Sequence, residues 1–154
     1  MNYQAVSELI TSSNHNVLIV GDSASEVDSF LNKLNITDYK YYDFSQIYSC
    51  SDRTLNDYAV IFIRDAMNSE KLTIIFNCVG WPDLGGGSAV SQFAMMARKF
   101  GKQLIVAVSE KDAIKLKANF DIIGMLSYGK ENFIAMSHTK SELTGGKRRY
   151  RIKS

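Results

Sequence analysis

A short apolar run followed by glycine and small polar residues is the first place where this sequence could do chemistry. Residues 17–20 are apolar, and Gly21-Asp-Ser-Ala-Ser-Glu-Val-Asp28 follows them. A phosphate-binding loop after a strand has the pattern G-x-x-x-x-G-K-[ST], in which backbone N–H groups surround the phosphates, lysine neutralises their charge and the hydroxyl holds Mg²⁺. The spacing therefore makes Gly21, Ser23 and Ser25 candidate anion-binding residues.

The same segment lacks the side chains that a nucleoside triphosphate requires. Glu26 stands at the second glycine of the pattern, Val27 at the lysine and Asp28 at the hydroxyl. Two carboxylates beside a triphosphate repel it by about 1 kcal/mol or more per close pair, even when well screened. We therefore expect a loop of similar shape without triphosphate chemistry, and no cofactor.

The glycine-rich turn Gly85-Gly-Gly-Ser88 is the second anion-binding candidate. Successive N–H groups that lead into a helix N-terminus form a cradle for an anion, which makes Gly86, Gly87 and Ser88 candidates. The alternative is an ordinary loop in which Ser88 caps the helix. Trp81, beside this turn, either stacks on a base or packs against its own domain or a neighbouring subunit.

The basic charge of the chain is concentrated at its C-terminus. The net charge is +2, but residues 140–154 contain six basic residues and one acidic residue, and the rest of the chain is mildly acidic. Cations interleaved with a tyrosine are typical of phosphate contact combined with base stacking. The candidate nucleic-acid-binding residues are Lys147, Arg148, Arg149, Tyr150, Arg151 and Lys153. An acidic protein partner, a solubilising terminus and an edge strand, on this or another subunit, are the alternatives.

Groups for acid–base and metal chemistry are scarce. His15 and His138 lie at the ends of predicted strands, and no spacing supports a nucleophilic triad. Cys50 and Cys78 are not at zinc-site spacing and are expected to be half-buried thiols in a reducing compartment. No catalytic residue and no metal ligand is therefore assigned, and enzymatic activity is not expected. Four acidic residues at the predicted sheet edge leave a metal-assisted activity open: Asp22, Asp83, Glu110 and Asp112.

The elements that must position these residues follow from hydrophobic periodicity. It predicts strands at 17–20, 39–44, 72–76, 104–108, 122–127 and 133–137, and helices at 25–34, 54–67, 88–99 and 111–119. This alternation predicts an α/β fold, a three-layer, doubly wound, mostly parallel sheet with a C-terminal hairpin. Ligands bind such sheets beyond the carboxyl ends of the strands, where both glycine-containing segments are placed.

The helix that opens at Ser88 has the clearest end signals. Lys99 lies in its last turn and Gly101 is expected as the residue just past the helix. Its inward face is predicted to contain Val90, Phe93, Ala94, Ala97 and Phe100.

Length and composition indicate one domain over residues 1–139, followed by a basic tail at 140–154. Apolar residues make up 45% of the chain, which is ordinary for a globular protein. No stretch approaches the roughly 20 apolar residues of a membrane-spanning helix, and the N-terminus does not read as a secretory signal. We therefore expect a cytoplasmic protein without a membrane partner.

In its order of elements the sequence resembles the P-loop NTPases of the FtsK/HerA type, which pump DNA, and their viral genome-packaging relatives. The similarity covers residues 16–137 and lies in the strings NVLIVG (16–21), FLNKL (30–34), IIF (74–76), ARKFG (97–101), LIVAVS (104–109) and KANF (117–120). The resemblance implies acidic residues directly after the third strand and a sensor glutamine after the fourth; here Asn77-Cys78 and Ser109 stand there. It thus implies a P-loop fold that has lost ATP hydrolysis and keeps a nucleic-acid-associated or scaffolding role, of viral or mobile-element origin, with self-association or a protein partner.

Two alternatives use the same residues. Pro82-Asp-Leu-Gly-Gly-Gly-Ser88, a helix and Gly101-Lys-Gln-Leu-Ile105 resemble the nucleoside deoxyribosyltransferase group, which implies a nucleotide- or nucleoside-processing enzyme. That family's helix supplies a nucleophilic glutamate, whereas this one offers Ser91 and Gln92. The other alternative is a small interaction domain with the layout of response-regulator receivers, which need an acidic residue where Asn77 stands.

Overall fold

The computed structural model of this chain describes residues 2–12, 15–44, 55–79, 88–138 and 148–152. The described residues form an α/β fold with a seven-stranded, mostly parallel sheet and five α-helices. In chain order the elements are α1 (Asn2–Ser12), β1 (Val17–Val20), α2 (Ala24–Lys33), β2 (Tyr39–Asp43), α3 (Leu55–Asn68), β3 (Thr73–Asn77), α4 (Ser88–Lys99), β4 (Gln103–Val108), α5 (Glu110–Leu116), a 3₁₀ turn (Lys117–Asn119), β5 (Ile122–Ser127), β6 (Phe133–His138) and β7 (Arg148–Arg151). All predicted strands and helices are present, with small shifts at their ends.

The strand order of the sheet is β2-β3-β4-β1-β5-β6-β7. The first five strands are parallel, and β6 and β7 are each antiparallel to the strand before them. The predicted mostly parallel sheet with a closing hairpin is therefore confirmed. The order differs from the 2-1-3-4-5 order of receiver-type folds, so the receiver layout was wrong.

The helices and the sheet bury two apolar clusters. The first cluster lies beneath α3, α4 and α5 and includes Leu18 and Val20 of β1. The second lies beneath α1 and α2 and includes Val17 and Ile19. All four β1 side chains are buried, which explains why this strand is apolar without alternation.

Helix α1 was not predicted from the sequence. Its residues Val6 and Ile10 are fully buried in the second cluster. The side-chain amide of Gln103 in β4 also donates to the carbonyls of Ile10 at 2.7 Å and His15 at 2.8 Å. Contacts with the sheet therefore stabilise a short segment that would form little helix alone.

Helix α4 ends as its sequence predicts. Gly101 has a positive φ of 69°, its N–H donates to the Arg98 carbonyl at 3.1 Å, and the N–H of Lys102 donates to the Ala97 carbonyl at 2.8 Å. This pair of bonds is the Schellman motif. Phe100, predicted to face inward, is instead 58% exposed, because it lies past the last helical residue Lys99.

Part of the predicted basic tail belongs to the sheet. Residues 148–151 form the edge strand β7, in which Tyr150 is paired with Ile134 of β6. Ile152 is buried in the second cluster, and its N–H donates to the Asn132 carbonyl at 2.7 Å. The edge-strand interpretation is confirmed for these residues, on the chain's own sheet, while residues 139–147 and Lys153 lie outside the described residues.

The helices of the described residues include none with the length and apolar character needed to cross a membrane.

Candidate functional site

The loop after β1 is shorter than the sequence pattern suggests. Helix α2 begins at Ala24, so three residues connect it to the strand. The hydroxyl of Ser23 caps the helix by accepting from the N–H of Glu26 at 3.4 Å, and the N–H of Val27 donates to the Ser23 carbonyl at 3.0 Å. These N–H groups are already used within the helix, which leaves less backbone to surround an anion.

Gly21 is required by close packing. A Cβ at this position would lie 2.6 Å from Cγ2 of Val27, far inside normal contact distance. The Gly21 N–H donates to the Val108 carbonyl at 3.0 Å, which fixes the loop against β4. Ser25 is exposed, and its hydroxyl lies 3.0 Å from that of Ser23. The anion-binding roles of Gly21, Ser23 and Ser25 stay predictions.

A tyrosine that sequence reasoning missed connects Asp28 of α2 with Asn77 at the end of β3. The hydroxyl of Tyr41 in β2 donates to Oδ1 of Asp28 at 2.7 Å and accepts from Nδ2 of Asn77 at 3.1 Å. The Asn77 amide also donates to the Ala24 carbonyl at 3.2 Å. Burial raises the pKa of Tyr41, and its hydrogen bond to Asp28 raises it further. The phenol therefore stays protonated and holds both side chains in place.

The end of β3 provides no reactive thiol. Cys78 was expected to be half-buried, but it is fully buried. Burial raises the pKa of its thiol, and the carboxylates of Asp112 and Asp43 raise it further. A protonated, inaccessible thiol is a poor nucleophile and a poor metal ligand. Cys50 lies outside the described residues.

The acidic residues at this edge stay apart. Asp112 is buried and accepts a hydrogen bond from the Ser109 hydroxyl at 3.0 Å. Asp22 and Glu110 are exposed, and Asp83 lies outside the described residues. Within the described ranges, no three His, Cys, Asp or Glu side chains are grouped so that they could hold a metal ion.

An open groove lies at the turn between β5 and β6. It has a volume of about 550 Å³ and is lined by Ser127, Tyr128, Gly129, Lys130, Glu131 and Phe133. The Tyr128 hydroxyl donates to the Glu26 carbonyl at 3.4 Å, so the groove adjoins the first turn of α2. Burial raises the pKa of Tyr128 to about 12, and neighbouring Tyr3 and Glu26 raise it too.

Arginines and an aromatic ring share the sheet face beside this groove. Phe133 pairs with Arg151, and the guanidinium carbon of Arg149 lies 4.7 Å from the centre of the Phe133 ring. Arg151 also pairs with Glu131 at 2.6 Å. On the opposite face, the Arg148 guanidinium carbon lies 5.4 Å from the centre of the Tyr150 ring.

Of the predicted nucleic-acid-binding residues, the structure thus brings four together on β7. All three arginines are exposed and Tyr150 is half-buried. Sequence reasoning missed Phe133, Tyr128 and Lys130. The predicted hairpin places Phe133 in a strand. Its contacts with β7 were missed because the residues of β7 were interpreted as a tail.

The remaining predicted site residues lie at the limits of the described chain. Gly86, Gly87, Trp81 and Lys147 are outside it, as is Lys153. Ser88 is the first residue of α4, and its side chain is not described.

A buried carboxylate with ionic partners lies at the opposite, amino edge. Asp121 is buried, pairs with Arg98 and lies 3.6 Å from Nδ1 of His15. Burial alone would raise the pKa of Asp121, but Arg98, the Asn16 N–H and His15 together lower it. The buried Asn16 amide donates to the Ala94 carbonyl at 2.9 Å. His15 is at the amino edge, as predicted, and this network joins the ends of β1, β5 and α4.

The carboxyl edge therefore has two parts. The part at α2 and β3 is acidic and closed by hydrogen bonds among Asp28, Tyr41 and Asn77. The part at the β5–β6 turn and β7 is open, aromatic and basic. Comparisons with known protein families and with curated proteins find no match to this chain.

Proposed function

We propose that this chain is a cytoplasmic, nucleic-acid-associated domain with a P-loop-like layout that does not hydrolyse nucleoside triphosphates. It binds nucleic acid through the β6–β7 surface, which consists of Phe133, Arg149 and Arg151 on one face of the edge strand and of Arg148 and Tyr150 on the other. The observation that carries the proposal is the placement of three exposed arginines on one edge strand, two of them over aromatic rings.

The arginines are available to phosphates at low cost. Arg148 and Arg149 lie over aromatic rings, a contact that a guanidinium keeps while its N–H groups bind an anion. Arg151 pairs with Glu131, but both side chains are more than half exposed, and an exposed pair contributes at most about 1 kcal/mol. Phosphates can therefore replace this carboxylate readily.

The strand order supports the P-loop-like layout. Strand β4 lies between β1 and β3, so Gly21 and Ser109 directly after β1 and β4, and Asn77 at the end of β3, lie at the same edge of three adjacent parallel strands. These are the positions that correspond to the phosphate loop, the sensor and the acidic residues in the resembling ATPases. Their arrangement at one edge is what the resemblance requires.

The side chains at these positions argue against triphosphate hydrolysis. Glu26 lies in the first turn of α2 and already complements the positive end of the helix. Asp28 and Asn77 are bonded to each other through Tyr41. A triphosphate would meet three carboxylates and no lysine within residues 21–28.

A scaffolding role is the second candidate. Large apolar side chains are exposed mainly on the helices over the first cluster: Val60, Ile61, Met95, Met96 and Ile114. The outer residues of α1 and α2 that the structure describes as exposed are polar or small. This asymmetry favours self-association through the α3–α4 layer. Sedimentation equilibrium of the wild type and Met95→Glu tests it, because a monomeric wild type at high concentration contradicts it.

The nucleoside-processing alternative has less support. Helix α4, which would supply the nucleophilic carboxylate, has no acidic residue; Ser91 is half-buried and Gln92 is exposed. The turn that contains Asp83, which is part of the resemblance to the deoxyribosyltransferase group, lies outside the described residues.

Salt-dependent binding tests the main proposal. Fluorescence anisotropy of the full chain with labelled oligonucleotides should give log K that falls linearly with log salt concentration. Replacing Arg148, Arg149 and Arg151 together by glutamine should weaken binding and reduce the slope by about 2–3, since each phosphate contact adds about one. The matched control replaces Lys111, Lys115 and Lys117, three exposed cations elsewhere, by glutamine. Absence of binding at low salt, or an equal loss in the control, refutes the proposal.

A further inference from the structure

We infer that the β6–β7 surface takes single-stranded nucleic acid in preference to duplex, with an unpaired base stacked at Phe133. This inference rests on the proposed function and goes further, because a purely electrostatic surface would bind any phosphate backbone.

Phe133 is an aromatic ring at the sheet surface. It is half-buried, yet it belongs to neither of the two apolar clusters. Its neighbours on the same face are Arg151 across β7 and Ser127 across β5. The ring therefore lies at the surface of the sheet, outside the packed core.

The ring already accommodates a flat, charged group. The guanidinium carbon of Arg149 lies 4.7 Å from the ring centre. A nucleobase is also flat, so it can stack on the outer side of this guanidinium or take its place on the ring. Stacking on aromatic rings and arginine is how sheet surfaces hold the bases of single strands.

The groove beside Phe133 suits a chain more than a small ligand. It is an open depression of about 550 Å³ rather than an enclosed cavity. Lys130 lines it, and Arg151 faces Phe133 across the strand pair. Cations near a stacking ring allow the phosphates next to the stacked base to be bound.

Duplex binding is disfavoured by the thickness of this part of the molecule. A two-stranded ribbon can enter a major groove about 12 Å wide. Here β6 also pairs with β5, and α1 packs on the opposite face of β7. A strand pair backed by a helix about 10 Å in diameter is too thick for the groove. In a duplex, moreover, the bases are paired and cannot reach Phe133 without being flipped out.

The acidic part of the edge limits where the strand can run. Asp22 and Glu26 are exposed beside the loop after β1, and Glu26 adjoins the groove through Tyr128. Phosphates are repelled from this side. The strand therefore runs along β7, away from the loop.

The test compares three probes on the full chain: a labelled single strand, its duplex, and a strand of equal length with abasic sugars. The single strand should bind about tenfold or more tightly than the other two. Phe133→Ala should weaken single-strand binding by about 5- to 150-fold, which is the range for one stacked base, and leave the salt slope unchanged. Phe133→Tyr should retain binding, because it keeps the ring. Tyr39→Ala, at an exposed tyrosine on the far edge strand β2, is the matched control.

The outcomes separate this inference from the proposed function. Equal binding of strand and duplex that depends on the β7 arginines, or equal binding of the abasic strand, overturns the inference and leaves the proposed function standing. Absence of binding to every probe overturns both. Polyglutamate serves as the competitor. If it displaces the single strand at equal charge concentration, the surface binds an acidic protein, and both the inference and the proposed function are overturned. Urea unfolding of Phe133→Ala verifies that the variant is folded in the assay.

Discussion

The Tyr41 hydroxyl lies 2.7 Å from Oδ1 of Asp28 and donates a hydrogen bond to it. The same oxygen accepts from the Asn77 amide, so one phenol joins α2 to the end of β3. Asp28 and Asn77 are both held by this phenol, which makes the bridge a structural feature of the edge.

Tyr41→Phe should destabilise the fold by about 1–2 kcal/mol, because Asp28 and Asn77 each lose a partly buried partner. Urea unfolding followed by circular dichroism measures this. Tyr39→Phe, two residues earlier on the same strand at a more exposed position, should change stability by less than about 0.5 kcal/mol. Equal effects of the two substitutions would show that the bridge contributes nothing.

The same tyrosine predicts a pH dependence. The pKa of Tyr41 is raised by burial and by Asp28. Its contribution to the free energy of unfolding is therefore fully present below the pKa of an unfolded tyrosine, about 10, and is lost as the pH rises above that value. The difference in unfolding free energy between wild type and Tyr41→Phe should therefore stay constant from neutral pH to about 9 and shrink at higher pH. A difference that grows with alkaline pH would contradict the raised pKa.

The sequence predicts the fold where the local signal is strong. Val17–Val20 is an uninterrupted apolar run because both of its faces are buried, and Gly101 ends α4 because only the left-handed conformation closes the two terminal bonds. Helix α1 could not be predicted, since its stability depends on Gln103, about 90 residues away in the chain.

The site was predictable only in part, for a similar reason. The sequence shows that arginines are concentrated near the C-terminus. The contact between Arg149 and Phe133, however, depends on the register of β6 with β7. The Tyr41–Asn77 contact depends on the pairing of β2 with β3. Neither register can be derived from periodicity, because loop lengths and strand order decide them.

Gly21→Ala should destabilise the protein by about 1–3 kcal/mol, the usual cost of forcing a methyl group into a packed region. The added Cβ would collide with Val27, and α2 would have to move. Gly129→Ala is the matched control, because no atom lies within 4 Å of a Cβ there. Thermal unfolding measures both, and a neutral Gly21→Ala would show that the loop moves freely away from α2.

Millimolar ATP with Mg²⁺ should leave the thermal unfolding temperature unchanged. The three-residue loop before α2 and the carboxylates of Glu26 and Asp28 disfavour the triphosphate. Stabilisation beyond about 1 kcal/mol would mean that ATP binds the folded chain. That result would refute the argument that the loop after β1 and its carboxylates exclude a triphosphate.

Asp121→Asn should reduce stability at neutral pH by about 1.5–3 kcal/mol, the range for hydrogen bonds to a charged group. Burial opposes ionisation of Asp121, but Arg98 and the other partners outweigh it and lower its pKa. The contribution of the carboxylate to the free energy of unfolding is therefore present above the pKa of an unfolded aspartate, about 4. It is lost as the pH falls through the lowered pKa of the folded state. Urea unfolding between neutral and strongly acidic pH should show the wild-type and Asp121→Asn curves converging in acid.

Asp38→Asn is the control for this last prediction. Asp38 pairs with Lys71 at 2.8 Å, but both side chains are about half exposed, so the loss should stay below about 1 kcal/mol at every pH. If Asp38→Asn and Asp121→Asn behave alike, burial of the amino-edge network does not strengthen its ion pair. Convergence in acid for Asp121→Asn alone would instead place the main acid-sensitive contact of the fold at the amino edge, opposite the β5–β6 turn.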